Sequence, residues 1–534
     1  MTQPTDPHAE TGHLPERTQV LVSGGGPVGL ATALELGRRG VDVLVIEPRA
    51  EVSHLRPRCK TVNVRTMEHL RRWGIADALR ERAPLPTSWS QDIAFCTSLT
   101  GRELSRFHGV LGLVAEGDRF PELGQQVAQY EVEELLRDTV RSEPTCRLVT
   151  GARVVGLAQD DDVVRVEVAD ASGETRTVLA DYVVGCDGAR STVREQMGSA
   201  YVGEQALRPN FGMVFTAPSL HDRVVHDPAV QYWIVNDAAP ALMGPLDLHD
   251  TWWIILFGVD EETGRERGAE LLAAAIGADV DAQIVSTDPW IARMQLVDSA
   301  RRGRVLLAGD AAHLNPPFGG HGLNTGVGDA VDVGWKLAAV LQGWGGPALL
   351  DSYEAERRPV QDRVIAEATA NMRVLSTDLT HPHLDHDSDE GDEARRRAAD
   401  FIQQTKRAEF HALDLVLDIS YASPVLVPSD GDYVVGHRLP HRWLAPDVSL
   451  YDRLGDGFSL LQLAGDAGVE DWVRAAAQLG VPLAVLDLRD RDLRSHYGAD
   501  LVLVRPDQYV AWRGSASDVD PGDVLSTTTG RSSS

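Results

Sequence analysis

Two glycine-rich segments far apart in the chain constrain its fold more than any other feature. The first is Val20-Leu-Val-Ser-Gly24-Gly-Gly26-Pro-Val-Gly29 and the second is Gly309-Asp310-Ala-Ala-His313-Leu-Asn-Pro-Pro317. Each follows an apolar run that reads as a buried strand, and each precedes a helical pattern. In the first, Thr18 to Ser23 predicts a strand and Pro27 to Arg39 a helix with Val28, Ala31, Leu34 and Leu36 on one side. Gly40 closes that helix, and Val41 to Glu47 gives a second strand. In such a β-α-β unit Gly24 permits the tight turn, Gly26 lets backbone approach a pyrophosphate, and Gly29 allows helix and strand to pack closely. The helix N-terminus offers free N–H groups and partial positive charge, and Glu47 at the second strand's end suits a ribose diol. A second loop carrying a carboxylate, Asp310, ahead of another glycine-rich helix start suits a dinucleotide with a polyol chain and a redox ring. FAD has that shape.

Composition narrows the alternatives. At 534 residues the chain exceeds what one core usually supports, so two or three domains are expected. With 43% hydrophobic and 24% charged residues it reads as an ordinary globular protein. The net charge of −28 argues against nucleic acid or an anionic membrane as partner. Basic residues are almost all Arg, with Lys only at 60, 336 and 406. The cysteines, Cys59, Cys96, Cys146 and Cys186, form no CxxC and read as reduced thiols of a cytoplasmic protein. No basic-then-apolar leader pattern opens the chain, and no apolar window is long enough to span a membrane.

Further along, Gln129 to Ser142 predicts a helix burying Val132, Leu135, Leu136 and Val140. Two strands follow around a Ser172-Gly173 turn. Asp181-Tyr-Val-Val-Gly-Cys-Asp187-Gly188-Ala-Arg190 then reads as a buried strand ending in a polar turn. Between about 200 and 300 the segments become β-rich and aromatic, including Gln231 to Val235 and Thr251 to Phe257. Such aromatics belong to a sheet core or line a pocket for a flat ligand. Leu323 to Leu341 predicts a helix. Ser376 to Glu393 is acidic and irregular, and its His381, His383 and His386 read as a solvated loop in preference to a metal site. From about Tyr433 a strand-helix-strand texture suggests a small α/β domain, and the Ser/Thr/Gly tail after Leu525 is expected to be disordered.

With these motifs in order, the chain resembles the single-component FAD-dependent aromatic hydroxylases, the para-hydroxybenzoate and phenol hydroxylase superfamily. Within it the chain is most similar to aromatic-polyketide hydroxylases of bacterial secondary metabolism. Trp335-Lys-Leu, Tyr353-Glu-x-Glu-Arg357-Arg-Pro359 and Leu503-Val-Arg-Pro-Asp-Gln-Tyr-Val-Ala-Trp-Arg513 carry that likeness. It implies an α/β fold: a Rossmann-like FAD-binding domain, an inserted β-sheet substrate domain and a C-terminal thioredoxin-like domain. The expected bounds are a tail at 1–17, the FAD domain at 18–198 and 297–375, and the substrate sheet at 199–296 with part of 84–120. A linker with helices follows at 376–432, the thioredoxin-like domain at 433–524 and a tail at 525–534. No cysteine follows Cys186, so that last domain has no dithiol chemistry and reads as structural, with a homodimer contact as one use.

The resemblance also implies a site. Gly24, Gly26, Gly29 and Glu47 would bind the ADP half of FAD, with Arg58 near the pyrophosphate and Gln129 also in contact. Asp187 and Gly188 would serve FAD and the nicotinamide, and Asp310 the ribityl chain. Gly320, Gly322, Leu323 and Asn324 would lie beside the flavin ring, their amides favouring its reduced anion. Pro317 marks the reacting side of the substrate, and His321 is a candidate for proton handling. The implied reaction uses NADPH or NADH and O₂, through a flavin C4a-hydroperoxide, to hydroxylate an aromatic small molecule. Epoxidation, Baeyer–Villiger insertion, oxidative decarboxylation and a catalytically silent FAD-binding protein remain open alternatives. No residue of the β-rich region is singled out as the base.

Overall fold

The computed structural model describes residues 14–531 except 375–378, 429–431, 433, 466–467 and 490–492. The expected tail at 1–17 falls mostly on residues 1–13, which lie outside the described residues. Arg17 already belongs to the first strand, Arg17–Ser23.

That strand is central in an eight-stranded sheet. Parallel strands run in the spatial order Val305–Leu307, Thr175–Gly185, Arg17–Ser23, Val43–Glu47, Cys146–Thr150. The helix Pro27–Gly37 connects the first two strands in sequence, and Gly40, at φ +79°, ends the crossover. Its residues Leu30, Ala31, Ala33, Leu34 and Leu36 are fully buried because the crossover helix is sandwiched between this sheet and the long helix His321–Leu341. Sheet order puts the carboxyl ends of Arg17–Ser23, Thr175–Gly185 and Val305–Leu307 side by side. The loops that follow them, at Gly24, Cys186 and Gly309, therefore meet at one sheet edge, although the sequence separates them widely. In open α/β sheets that edge is where ligands bind.

A second eight-stranded sheet is built around Tyr201–Thr216, Gln283–Val297 and Thr251–Phe257. The strands Ile93–Cys96 and Glu103–Phe107 extend it through parallel pairing with Gln231–Ile234. Strand alternation sorts its aromatics. Trp252, Ile254 and Leu256 pack with Leu271, Leu272, Ala275 and Ile276 of the covering helix Glu261–Ile276. Trp253, Ile255 and Phe257 face the other way, toward Ala128, Tyr130 and Phe318 of the first domain.

The C-terminal unit is a four-stranded mixed sheet in the order Leu483–Asp487, Phe458–Gln462, Leu501–Val504, Val510–Gly514. The helix Val469–Leu479 packs on it through Trp472, whose ring lies 4.8 Å from that of Trp512.

Two expectations need correction. Residues 526–531 are not a disordered tail: Pro521–Thr528 is a helix, with Leu525 and Thr528 fully buried, and 532–534 lie outside the described residues. Asp520 caps it by accepting from the amides of Gly522 and Asp523, and Pro521 sits at the first helical position, where its missing N–H costs nothing. Arg531 then donates to the carbonyls of Leu479 and Gly343. The acidic stretch 376–393 is also not irregular throughout. The helix Asp389–Phe410 begins inside it, capped by Ser388, with Asp389, Glu390 and Asp392 at its positive end. His383, half-buried, and His386, exposed, lie side by side at 3.2 Å. Among the described residues no group of three or more His, Cys, Asp or Glu could hold a metal ion.

Candidate active site

The glycines of the first loop divide by what a side chain would meet. A Cβ at Gly24, which has φ +104°, would run into the Cys186 carbonyl. One at Gly29 would run into the carbonyl of Gly24. A Cβ at Gly26 would meet nothing within 4 Å. Gly26 is also the N-cap of the helix Pro27–Gly37 and supplies no side-chain cap, so the helix N-terminus opens on an unfilled cradle. Those features fit a pyrophosphate.

Glu47 ends its strand nine-tenths or more buried beside this loop, accepting from the Gly25 N–H at 2.7 Å. Its other oxygen accepts from the Arg49 N–H at 2.9 Å and Arg49 Nε at 2.7 Å. A carboxylate has about four lone-pair sites, so room remains for ribose hydroxyls. Arg58 is exposed and adopts φ +45°, and among the described residues it forms no ion pair within 4.0 Å. The Gln129 N–H donates to Pro57 O at 3.0 Å, which brings the start of the helix Gln129–Ser142 against the Arg58 segment.

At the neighbouring strand end, Asp187 does not present a free carboxylate. It accepts from Ser191 Oγ and from the Val193 N–H at 3.1 Å, while Ser191 caps the helix Thr192–Gln196. Burial raises its pKa despite those donors. The side chain shapes the turn, leaving the backbone at Gly188 open, where a Cβ would meet nothing within 4 Å. Asp310 is exposed on its loop. Burial raises its pKa, and His313 and Arg58 act in the opposite direction. Arg58 and Asp310 are thus electrostatic neighbours although they come from loops at opposite ends of the domain.

The ring loop is tied down from two sides. Gly320, at φ +68°, is the N-cap of the helix His321–Leu341, again without a side-chain cap. The Asn324 side chain is fully engaged. It accepts from the Asn63 N–H at 2.9 Å and Thr66 Oγ1 at 2.7 Å, and donates to Thr61 O at 2.9 Å and Gly320 O at 2.7 Å. Gly322 lies near Asn315, Leu323 is buried, and Pro317 is exposed ahead of Phe318, whose ring packs 5.9 Å from Phe257. His321 points elsewhere. Its ring lines an internal cavity with Arg65, His69, Asp332, Tyr421 and Tyr509, under the C-terminal unit. Its Nε2 is buried without a partner, and burial lowers its pKa to about 4.

Several participants escaped the sequence reading. Asp329 accepts from His313 Nε2 at 2.7 Å, Arg357 Nε at 2.8 Å and the Gly309 N–H at 3.1 Å, so it holds the Gly309-Asp310 turn from behind. Burial pushes its carboxyl up, but Arg357 and His313 outweigh it and hold the pKa at about 2. The resemblance motifs also converge in space. Arg505 forms a bidentate pair with Glu356, 2.8 Å for each bond, and pairs with Asp507 at 2.6 Å. Lys336 reaches Glu356 and Asp332, each at 2.7 Å, and Trp335 Nε1 donates to Asp507 at 3.2 Å. Charged residues separated by long stretches of sequence leave no local signal for such pairing.

The fold agrees with that of solved relatives. Residues 17–368 match the FAD binding domain family, and residues 432–532 match the aromatic-ring hydroxylase C-terminal family. The chain is 33% identical to the tetracenomycin B2 monooxygenase-dioxygenase of Streptomyces olivaceus, over 95% of this chain and 97% of that one. It is 33% identical to aklavinone 12-hydroxylase RdmE of Streptomyces purpurascens, with 95% and 97% covered. Among solved structures, the rebeccamycin biosynthetic enzyme RebC with reduced flavin superposes with a TM-score of 0.88 at 34% identity, over 97% of this chain and 100% of RebC. The chain belongs to the FAD-dependent aromatic-ring hydroxylases, and it is an FAD-dependent monooxygenase.

Proposed function

We propose that this enzyme hydroxylates a polycyclic phenolic small molecule, bound between the Trp253, Ile255 and Phe257 face of the second sheet and the loop at Pro317. The single observation that carries this is the aromatic build of that wall: Phe257, Phe318, Trp233 and Phe95 follow one another at 5.4–6.1 Å, all buried, with Phe410 also packed against Trp233 and Phe95. Such a wall suits a large flat ring system. Relatives named for tetracenomycin and aklavinone chemistry support the same size class.

In this reading the open cradle at Gly26 and the uncapped helix take the pyrophosphate, with Gly24 and Gly29 fixing the turn and Arg58 adding a guanidinium. Glu47 takes the ribose, and Gln129 and the backbone at Gly188 border the cofactor. Asp310 takes the ribityl hydroxyls. The amides at Gly320, Gly322, Leu323 and Asn324 border the ring, whose bound cofactor supplies electron transfer from NADPH or NADH and oxygen activation. Pro317 stands on the substrate's side. His321, kept neutral by burial, packs at the helix start beside the cavity. Four unpaired cysteines suit a cytoplasmic location.

Purified holoenzyme incubated in air with NADPH and a panel from one-ring phenols to naphthols and hydroxyanthraquinones tests this. The expected result is substrate-stimulated NADPH oxidation and a product one oxygen atom heavier from a polycyclic member. Turnover confined to one-ring phenols would overturn the size class, and no product from any member would overturn the phenol reading.

A further inference from the structure

The chain has three lysines, and the structure treats one differently. Lys336 is fully buried between Asp332 and Glu356. Lys406 is fully buried against Glu409 at 2.9 Å and donates to Asn371 O at 3.0 Å. Among the described residues Lys60 has no carboxylate within 4.0 Å and no side-chain hydrogen bond. Its Nζ stands 3.9 Å over the centre of the Trp253 ring, and it is not among the sealed, unpartnered polar atoms. A half-buried ammonium with no anion is costly to keep, and an aromatic face compensates only in part.

Its place in the fold connects the two halves of the site. Trp253 belongs to the sheet face turned to the first domain. On the other side, Lys60 O accepts from the Val127 N–H at 3.0 Å, and the next residue, Thr61, pairs with Gln126. Thr61 also abuts the ring loop, where a Cβ at Gly320 would lie 3.1 Å from it. Lys60 therefore sits between the aromatic wall and the flavin loop. The charged or titratable groups facing it are Asp288, itself 3.2 Å from Arg56, and Cys59. Burial lowers the Lys60 pKa to about 8, with Cys59 and Asp288 acting against that.

We propose that Lys60 is a catalytic residue: its side-chain ammonium, placed over Trp253, holds the substrate's aromatic hydroxyl as its oxyanion. This rests on the reading that a phenolic substrate binds at that wall. The O–H bond breaks, its electron pair stays on oxygen, and the proton passes to solvent on binding, leaving an ammonium–phenolate pair. The phenolate is the electron-rich form of the ring that accepts oxygen. An ammonium within about 4–6 Å makes a bound phenol roughly tenfold or more easier to ionise.

The test uses holoenzyme and 4-nitrophenol, whose phenolate has its own visible band, at a pH below the free phenol's pKa. Wild type is expected to give a saturable phenolate band. K60M should lose it by roughly tenfold or more, while K60R, which keeps the cation, should retain it. Flavin absorbance in each sample reports that the variant is folded and loaded. An undiminished band in K60M, or no saturable band in wild type, overturns the assignment. Failure of the substrate reading looks different: wild type hydroxylates no panel phenol while the band still depends on Lys60.

Discussion

Two polar regions of this molecule invite comparison, the seam between the FAD-binding domain and the C-terminal unit, and the cleft between that domain and the second sheet. At the seam, Lys336, Glu356, Arg505 and Asp507 pair with one another almost without exposure. Arg65 and Arg438 share Glu68 in the same way, at 2.7 and 3.0 Å. At the cleft, among the described residues, Arg58 and Lys60 have no carboxylate within 4.0 Å, Gln129 has no side-chain hydrogen bond, and Gly26 borders open space. Both regions are rich in charge, and the seam is by far the more fully paired. Buried charges that complete each other fix a geometry, whereas charges left incomplete at the mouth of a fixed geometry are those that a ligand completes. That contrast sets the proposed binding residues apart from the scaffold residues by their pairing alone.

Breaking the seam has the largest expected effect. R505M leaves Glu356 and Asp507 buried with half their partners gone. Removing one member of a buried pair costs about 3–5 kcal/mol, so a denaturant titration should show the midpoint falling steeply. A change no larger than that of a surface substitution would mean that the cluster is not a structural lock. G29A comes next, since its methyl has no room beside the Gly24 carbonyl. It should purify without flavin, whereas G26A, whose methyl enters only the open cradle, should fold normally and bind FAD more weakly. Equal flavin loss in both would dissolve the distinction between turn and cradle. R58M should be milder: unchanged thermal unfolding of the apoprotein, with FAD affinity reduced roughly ten- to a hundredfold. An equal loss of stability would move Arg58 from the cleft's class to the seam's.

How much of this the sequence made legible depended on distance along the chain. The turn at Gly24, Gly26 and Gly29 is local, so spacing alone revealed it. The Gly309-Asp310 turn was legible too, but Asp329 and Arg357, which brace it, were not, because helix periodicity marks them only as residues of a buried face. Lys60 was visible as one of three lysines and yet could not be recognised. The aromatic wall belongs to the β-rich region, but the cation facing it comes from a loop of the other domain. The closing helix was hidden by composition: Ser, Thr and Gly outweighed the short Asp520-Pro521 start and the Val524-Leu525 pair that buries it.

The smallest expected effect lies inside the seam itself and tests how complete its pairing is. Asp332 is within 2.7 Å of Lys336 Nζ, yet both of its oxygens lack a properly directed hydrogen bond. Burial raises its pKa to about 7, with Lys336 acting against this and Glu356 adding to it. Asp329 is held at about 2. The signs are opposite. Asp329 contributes stability above its unfolded pKa, and this is lost as the pH falls toward 2. Asp332 contributes stability that is fully present below its unfolded pKa and is lost as the pH rises through about 7. D332N keeps the shape and removes the titration, so its unfolding midpoint relative to wild type should rise between pH 5 and pH 8 by a modest amount. A wild-type-minus-D332N difference that is flat across that range would place Asp332 among the fully satisfied charges of the seam. A wild-type advantage that is lost only as the pH falls below about 4 would show that Lys336 holds its carboxylate ionised after all.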